Sequence, residues 1–262
     1  MFNGPYYYVY GDEFADSSLF GKLKPLVEDF ARRSKFRAFY KSNAAYYAQE
    51  VKRQRELLPV TKMWSWLEGQ FPRINYQSYR VVSSPLIKGS HSTQNYTGAR
   101  NNAAWRESVM FICGAARYDR NRALSEKQKE GLFSGVLFTE IDHNYVNRVT
   151  SRYRKQVDSI FSARGLWARS GNSSDYYGSP ESVFNEYMTH AAFCLYIADT
   201  YDKATAGYVI TNREELMEGR RNFIRSFLIP LKRAAFRVKR AIYGRSKKAA
   251  RSSIISSIAG SQ

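Results

Sequence analysis

The segment Leu137 to Asn147 sets a hydroxyl, two carboxyl groups and an imidazole, Thr139-Glu140-Ile141-Asp142-His143, into an otherwise apolar stretch. On a helix Thr139 and His143 stand at i and i+4 and share a face, while Glu140 neighbours His143 at i+3. Asp142 points about 100° away from His143 and is the poorer partner. Burying such groups is costly unless they pair with one another or bind a metal. Two chemistries follow: a metal held by the imidazole with a carboxylate as general base, or a buried polar network with no chemistry at all.

Other residues could join that constellation. Glu186 lies mid-helix in ESVFNEYMTHAAFCLYIAD, 43 positions after His143, in company that is otherwise apolar or aromatic. His190 follows Glu186 by four residues, so both face one side. His91, in the polar loop GSHSTQ, could supply an imidazole from outside the helices. The structural alternatives are a Glu186 paired with one of the many arginines, a solvated His91 and a packed His190. Tyr145 and Tyr187 are candidate substrate contacts, as is the Tyr176-Tyr177 pair, since a phenol can stabilise an oxyanion. The alternative is that these rings pack and make one hydrogen bond each.

The spacing resembles the zinc-peptidase motif His-Glu-x-x-His, in which two histidines bind zinc and the glutamate activates a water. Here Thr139 stands at the first histidine position, and loss of an imidazole weakens zinc binding. The chain also resembles the bacterial domain-of-unknown-function family 4932, which has zinc-metallopeptidase, zincin-like character. The stretches that carry this likeness are FRAFYKSNAAYY (36–47), SPLIKGSHSTQNY (84–96), TEIDHNYVN (139–147), SVFNEYMTHAAF (182–193) and GRRNFI (219–224). The resemblance implies a zincin-like α+β fold, mainly helical, with a small sheet in the first half and an active-site helix. It implies Glu140 as candidate general base, and His143 and Glu186 as candidate zinc ligands; Thr139 stands at the remaining ligand position as a poor ligand, and His91, from its loop, is the residue that could replace it. Arg148 departs from the family's pattern, which places Pro after Asn147.

Composition bounds these readings. The chain has 262 residues, 44% hydrophobic and 15% aromatic, which suffices for a sizeable core and for an aromatic cleft. The net charge of +18 is concentrated at one end. From Gly219 onwards there are 12 Lys and Arg and no acid, which leaves 29 basic against 23 acidic residues before it. A basic amphipathic pattern runs from Phe227 through Leu231, Ala235, Val238 and Ile242, and a Ser-, Ala- and Lys/Arg-rich stretch expected to be disordered follows Gly244. Residues 1–226 therefore read as one zincin-like domain and 227–262 as a basic tail. That tail is either a binding element or a frameshifted end without selected function. Nucleic acid or an anionic membrane would be reached only through it.

Cys113 and Cys194 form no metal knuckle, and they read as buried thiols, with a bridge between them left open. Met1 to Phe14 lacks a basic segment followed by an apolar core, and no run approaches ~20 apolar residues. A cytoplasmic monomer is the default expectation, with an extracytoplasmic location if the natural chain starts upstream.

The expected elements are a strand at Tyr6–Tyr10 and helix over Asp16–Leu57 and Val60–Gln70. Strands follow at Tyr79–Ile87 and Glu107–Gly114, with a loop at Gly89–Asn102 between them. The longest helix pattern is Ser125 to Phe161. A loop then covers Ala163–Pro180, with helix over Ser182–Tyr201 and another beginning over Asn212–Ser226. Trp64 and Trp66 form either helix packing or the wall of a cleft.

Three functions compete: a zinc-dependent hydrolase acting on peptide or protein, a degenerate peptidase fold that binds such a partner without cutting it, and an anionic-surface binder working through the tail.

Overall fold

The computed structural model describes residues 7–9, 12–14, 17–87, 91–100 and 103–220. The basic tail expected over 227–262 lies outside the described residues. The chain is mixed α and β, mostly helical, with a small three-stranded sheet. It divides into two compact units, Met1–Lys62 with Arg73–Ile141, and Met63–Pro72 with Asp142–Gln262.

The first unit opens with an antiparallel pair, β1 (Tyr7–Val9) and β2 (Asp12–Phe14). The long helical region that follows is three helices, α1 (Ser17–Arg33), α2 (Phe36–Ser42) and α3 (Ala44–Leu57). Between α1 and α2 the chain turns at Lys35, whose φ of 51° is the left-handed conformation that closes a helix. Pro59 sits between α3 and α4 (Val60–Gln70), a helix that begins in this unit and ends in the other.

Three strands come next: β3 (Ser78–Ser84), β4 (Ser92–Arg100) and β5 (Ala103–Cys113). The spatial order is β3-β5-β4, with β5 parallel to β3 and antiparallel to β4. Val109, Met110, Ile112 and Cys113 are all buried, so β5 is covered on both faces as a central strand should be. β4 corrects the expected loop over Gly89–Asn102. Its sequence STQNYTGAR carries Gly, Ser, Thr and Asn, yet Thr93 pairs with Met110 and Gly98 with Trp105. The ladder offered by β5 outweighs local propensity, and an edge strand tolerates polar side chains.

A short helix α5 (Ala116–Asp119) leads to α6 (Glu126–Thr150), which begins here and continues into the second unit. Arg53 of α3 locks these parts together. Its Nε donates to Asp119 Oδ1 at 2.9 Å, and its Nη2 reaches Glu126 Oε2 at 2.8 Å. These carboxylates raise the guanidinium above its ordinary range, and Lys129 and Arg53 together lower Glu126. Gln54 Nε2 donates to the Cys113 carbonyl, which anchors α3 on the central strand.

In the second unit the rest of α6 is followed by α7 (Arg154–Phe161), α8 (Pro180–Thr200) and α9 (Lys203–Glu215), then a single π turn at Leu216–Arg220. The last expected helix therefore starts nine residues early, at Lys203 rather than Asn212. Its N-cap Asp202 accepts from the Ala204 and Thr205 amides, and the Thr205 hydrogen bonds hold this carboxyl below its usual range. α8 begins with a reciprocal box in which Ser182 N donates to Ser179 Oγ and Ser179 N to Ser182 Oγ, with Pro180 in the first turn.

The Ala163–Pro180 segment is tied down rather than free. Arg164 donates to the Ser174 and Tyr177 carbonyls, and Trp167 stacks on Phe161 with ring centroids 4.1 Å apart. Val157, Phe161, Ala168, Val183, Tyr187 and Met217 form the core beneath it. Trp66 belongs to packing: its ring meets Tyr196 edge-on and its Nε1 donates to Asp199. Among the described residues no helix is long and apolar enough to cross a membrane.

Candidate functional site

In the second unit two imidazoles approach Glu186. The helical period of α8 turns Glu186, Thr189 and His190 to one side, and all three are buried. His143, on the second unit's part of α6, brings Nε2 to 3.8 Å from Glu186 Oε2. His190 Nε2 stands 3.1 Å from the other oxygen, Oε1. Arg213 of α9 places Nη1 3.5 Å from His190 Nδ1, and its guanidinium lies over the Phe193 ring, 4.5 Å from the centroid.

Arginine can only donate, so a hydrogen bond from Arg213 is met when Nδ1 of His190 accepts and Nε2 donates to Glu186. Arg213, His190 and Glu186 thus form a chain of polar contacts that ends on a carboxylate. On the far side, Thr189 Oγ1 and Asn147 Oδ1 each approach His143 Nδ1 at 3.4 Å. His143 is the only member of the Glu186–His143–His190 trio with a partly exposed side chain.

Thr139 and Glu140 belong to the first unit's part of α6, and Glu140 is half-buried there. The Thr139 hydroxyl donates back to the Gly135 carbonyl at 2.9 Å, an i−4 bond that holds its proton within the helix. His91 precedes β4 in the first unit, with Nε2 shielded from solvent. Asp142 is fully buried. Tyr145 and Tyr187, considered as substrate contacts, are buried rings. Tyr145 packs on Phe71 at 5.6 Å, and the Tyr187 hydroxyl donates to the Trp167 carbonyl. Tyr176 is exposed. Cys113 and Cys194 are both free thiols.

Zinc can be tested against this arrangement. Ligands bonded at about 2.0–2.1 Å in a tetrahedral site stand roughly 3.3–3.4 Å apart, so His143 and Glu186 are nearly at ligand spacing. Among the described residues, however, no three His, Cys, Asp or Glu side chains gather to hold a metal ion. His190, the next imidazole, has Nε2 against Glu186, and its other nitrogen faces Arg213, a fixed positive charge that repels a dication. Among the described residues, those around Glu186 do not fit a three-ligand zinc site.

Thr189 and Arg213 were not singled out by sequence reasoning. Thr189 lies three residues after Glu186, a spacing that could have pointed to it, whereas nothing separates Arg213 from the chain's other arginines. No family model, curated protein or solved structure matches the chain.

Proposed function

We propose that the chain is a zincin-like, degenerate peptidase domain that binds a peptide or protein without cleaving it. In support, a small sheet comes before α6, and a later helix, α8, brings its glutamate to the histidine of the Glu-x-x-His pair. One observation carries the loss of chemistry: both Glu186 oxygens face imidazoles, and one of those is backed by Arg213. On this reading a former ligand pair has become part of an internal polar cluster. Thr139, at the position where the motif needs an imidazole, bonds its own helix instead.

The test is the zinc content of the purified protein by elemental mass spectrometry, beside His143→Ala and Glu186→Ala. The expected result is far less than one zinc per chain and no rise in melting temperature when zinc is added. Near-stoichiometric zinc, lost in both variants, overturns the proposal. It restores the hydrolase reading, in which His143 and Glu186 ligate the metal and Glu140 activates the water. Abolition of turnover by Glu140→Gln in a folded protein then decides for that reading.

A further inference from the structure

The first three helices expose large apolar side chains that no described residue buries. In α1, Leu23, Leu26, Val27 and Phe30 recur at i, i+3, i+4 and i+7, the spacing that normally buries a stripe. All four are exposed, Leu26 at 66% and Phe30 at 63%. α2 buries none of its residues, and its Phe36, Phe39 and Tyr40 repeat the pattern in the open. Their rings touch one another, and Tyr40 stacks on Tyr47 of α3 with centroids 4.7 Å apart. A face this apolar marks an interaction surface.

The charge around it narrows the partner. Between Phe30 and Ser42 there are five basic residues and no acid. Arg32 and Arg33 share Asp29, while Lys35, Arg37 and Lys41 make no ion pair among the described residues. A second copy of the chain would bring like charge to the face, and so would its own acid-free end beyond Glu218. The occupant must be anionic and apolar at once. It must also accept side chains that protrude, since Leu26 and Phe30 stand out from the surface rather than line a hollow. A fluid hydrocarbon layer closes around such side chains without matching holes, and its acidic headgroups meet the lysines and arginines.

We propose that the α1–α3 face docks on an anionic lipid bilayer, with Leu26, Phe30, Phe36 and Phe39 entering the acyl boundary and Lys35, Arg37 and Lys41 at the headgroups. This surface is distinct from residues 227–262 and does not depend on the reading of Glu186.

The experiment is co-sedimentation of the full chain with vesicles of phosphatidylcholine alone or with 30% phosphatidylserine, against a Leu26→Ser/Phe30→Ser/Phe39→Ser variant. That variant keeps every charge, including those of the tail, and alters only exposed side chains. Its fold is checked by circular dichroism. The expected result is salt-sensitive binding to the acidic vesicles, reduced at least about tenfold in the variant through lost apolar burial. Equal binding by parent and variant overturns the proposal and assigns lipid affinity to the basic tail. Absence of vesicle binding also overturns it, as does parent self-association, or parent capture of an acidic amphipathic peptide, that outcompetes vesicles.

Discussion

Glu186→Ala removes the acceptor at the centre of the second unit's polar cluster and separates a structural network from an empty ligand set. The carboxylate is 2% exposed, with one oxygen 3.1 Å from His190 and the other 3.8 Å from His143. Without it the buried His190 Nε2 loses its hydrogen-bond partner, which costs about 1–3 kcal/mol. The side-chain void and the loss of the charge that Arg213 supports through His190 bring the total towards the ~3–5 kcal/mol typical of breaking a buried pair. Glu186→Gln retains an oxygen for His190 and offers its amide to His143, so its cost should stay below about 1.5 kcal/mol. Urea denaturation in excess chelator reads the difference. With a slope of about 3 kcal/mol per molar urea, Glu186→Ala should lower the midpoint by ~1 M or more, and Glu186→Gln by less than half as much. Ligand residues gathered without their metal repel or desolvate one another, and deleting one is neutral or stabilising. If Glu186→Ala matches or exceeds the parent in chelator, the network reading is wrong.

Ser179→Ala should cost about 1 kcal/mol, because it removes the acceptor for the Ser182 amide; Ser179→Gly should cost only a few tenths, and thermal melts of the two variants check the order. Burial pushes the Cys113 thiol above its ordinary value near 9, so alkylation at pH 8 should modify Cys194 well before Cys113, as mass mapping of the first-labelled site will show. The same shift has a stability consequence. The folded state holds this proton more tightly than the unfolded chain, so the contribution is complete below the unfolded thiol pKa and is lost as pH rises through the folded one. Cys113→Ala should flatten the alkaline limb of a stability-against-pH curve, and an unchanged limb would contradict the assignment.

Legibility along the chain followed the strength of the local signal. Val60–Gln70 was placed to the residue, because Pro59 and Pro72 bracket an apolar-periodic run. α8 was placed within two residues, because its apolar run and the preceding Ser-Pro mark both body and start. The polar strand β4 was misread as a loop, since its residues prefer strand only where a partner offers a ladder, and that partner, β5, is set by topology. The start of α9 was missed because Lys203–Gly207 is small and polar, and its cue, the Asp202 cap, does not stand out in sequence.

The candidate site divides the same way. Helical spacing alone puts Glu186 and His190 on one side of α8, and puts Thr139, Glu140 and His143 within a turn or so on α6, because 3.6 residues per turn is a local property. The motif's departure at Thr139 is likewise visible in the letters. What Thr139 does in place of ligation, donating to the Gly135 carbonyl, needs a structure. So does the meeting of His143 with Glu186 across 43 positions, and of Arg213 with His190 across 23, since only packing of helices chooses which side chains share a buried space. The basic, aromatic composition of Phe30–Ser42 was in the sequence from the outset. That its apolar side chains face solvent was not, because amphipathic spacing states that a face exists and only the tertiary structure decides whether anything covers it.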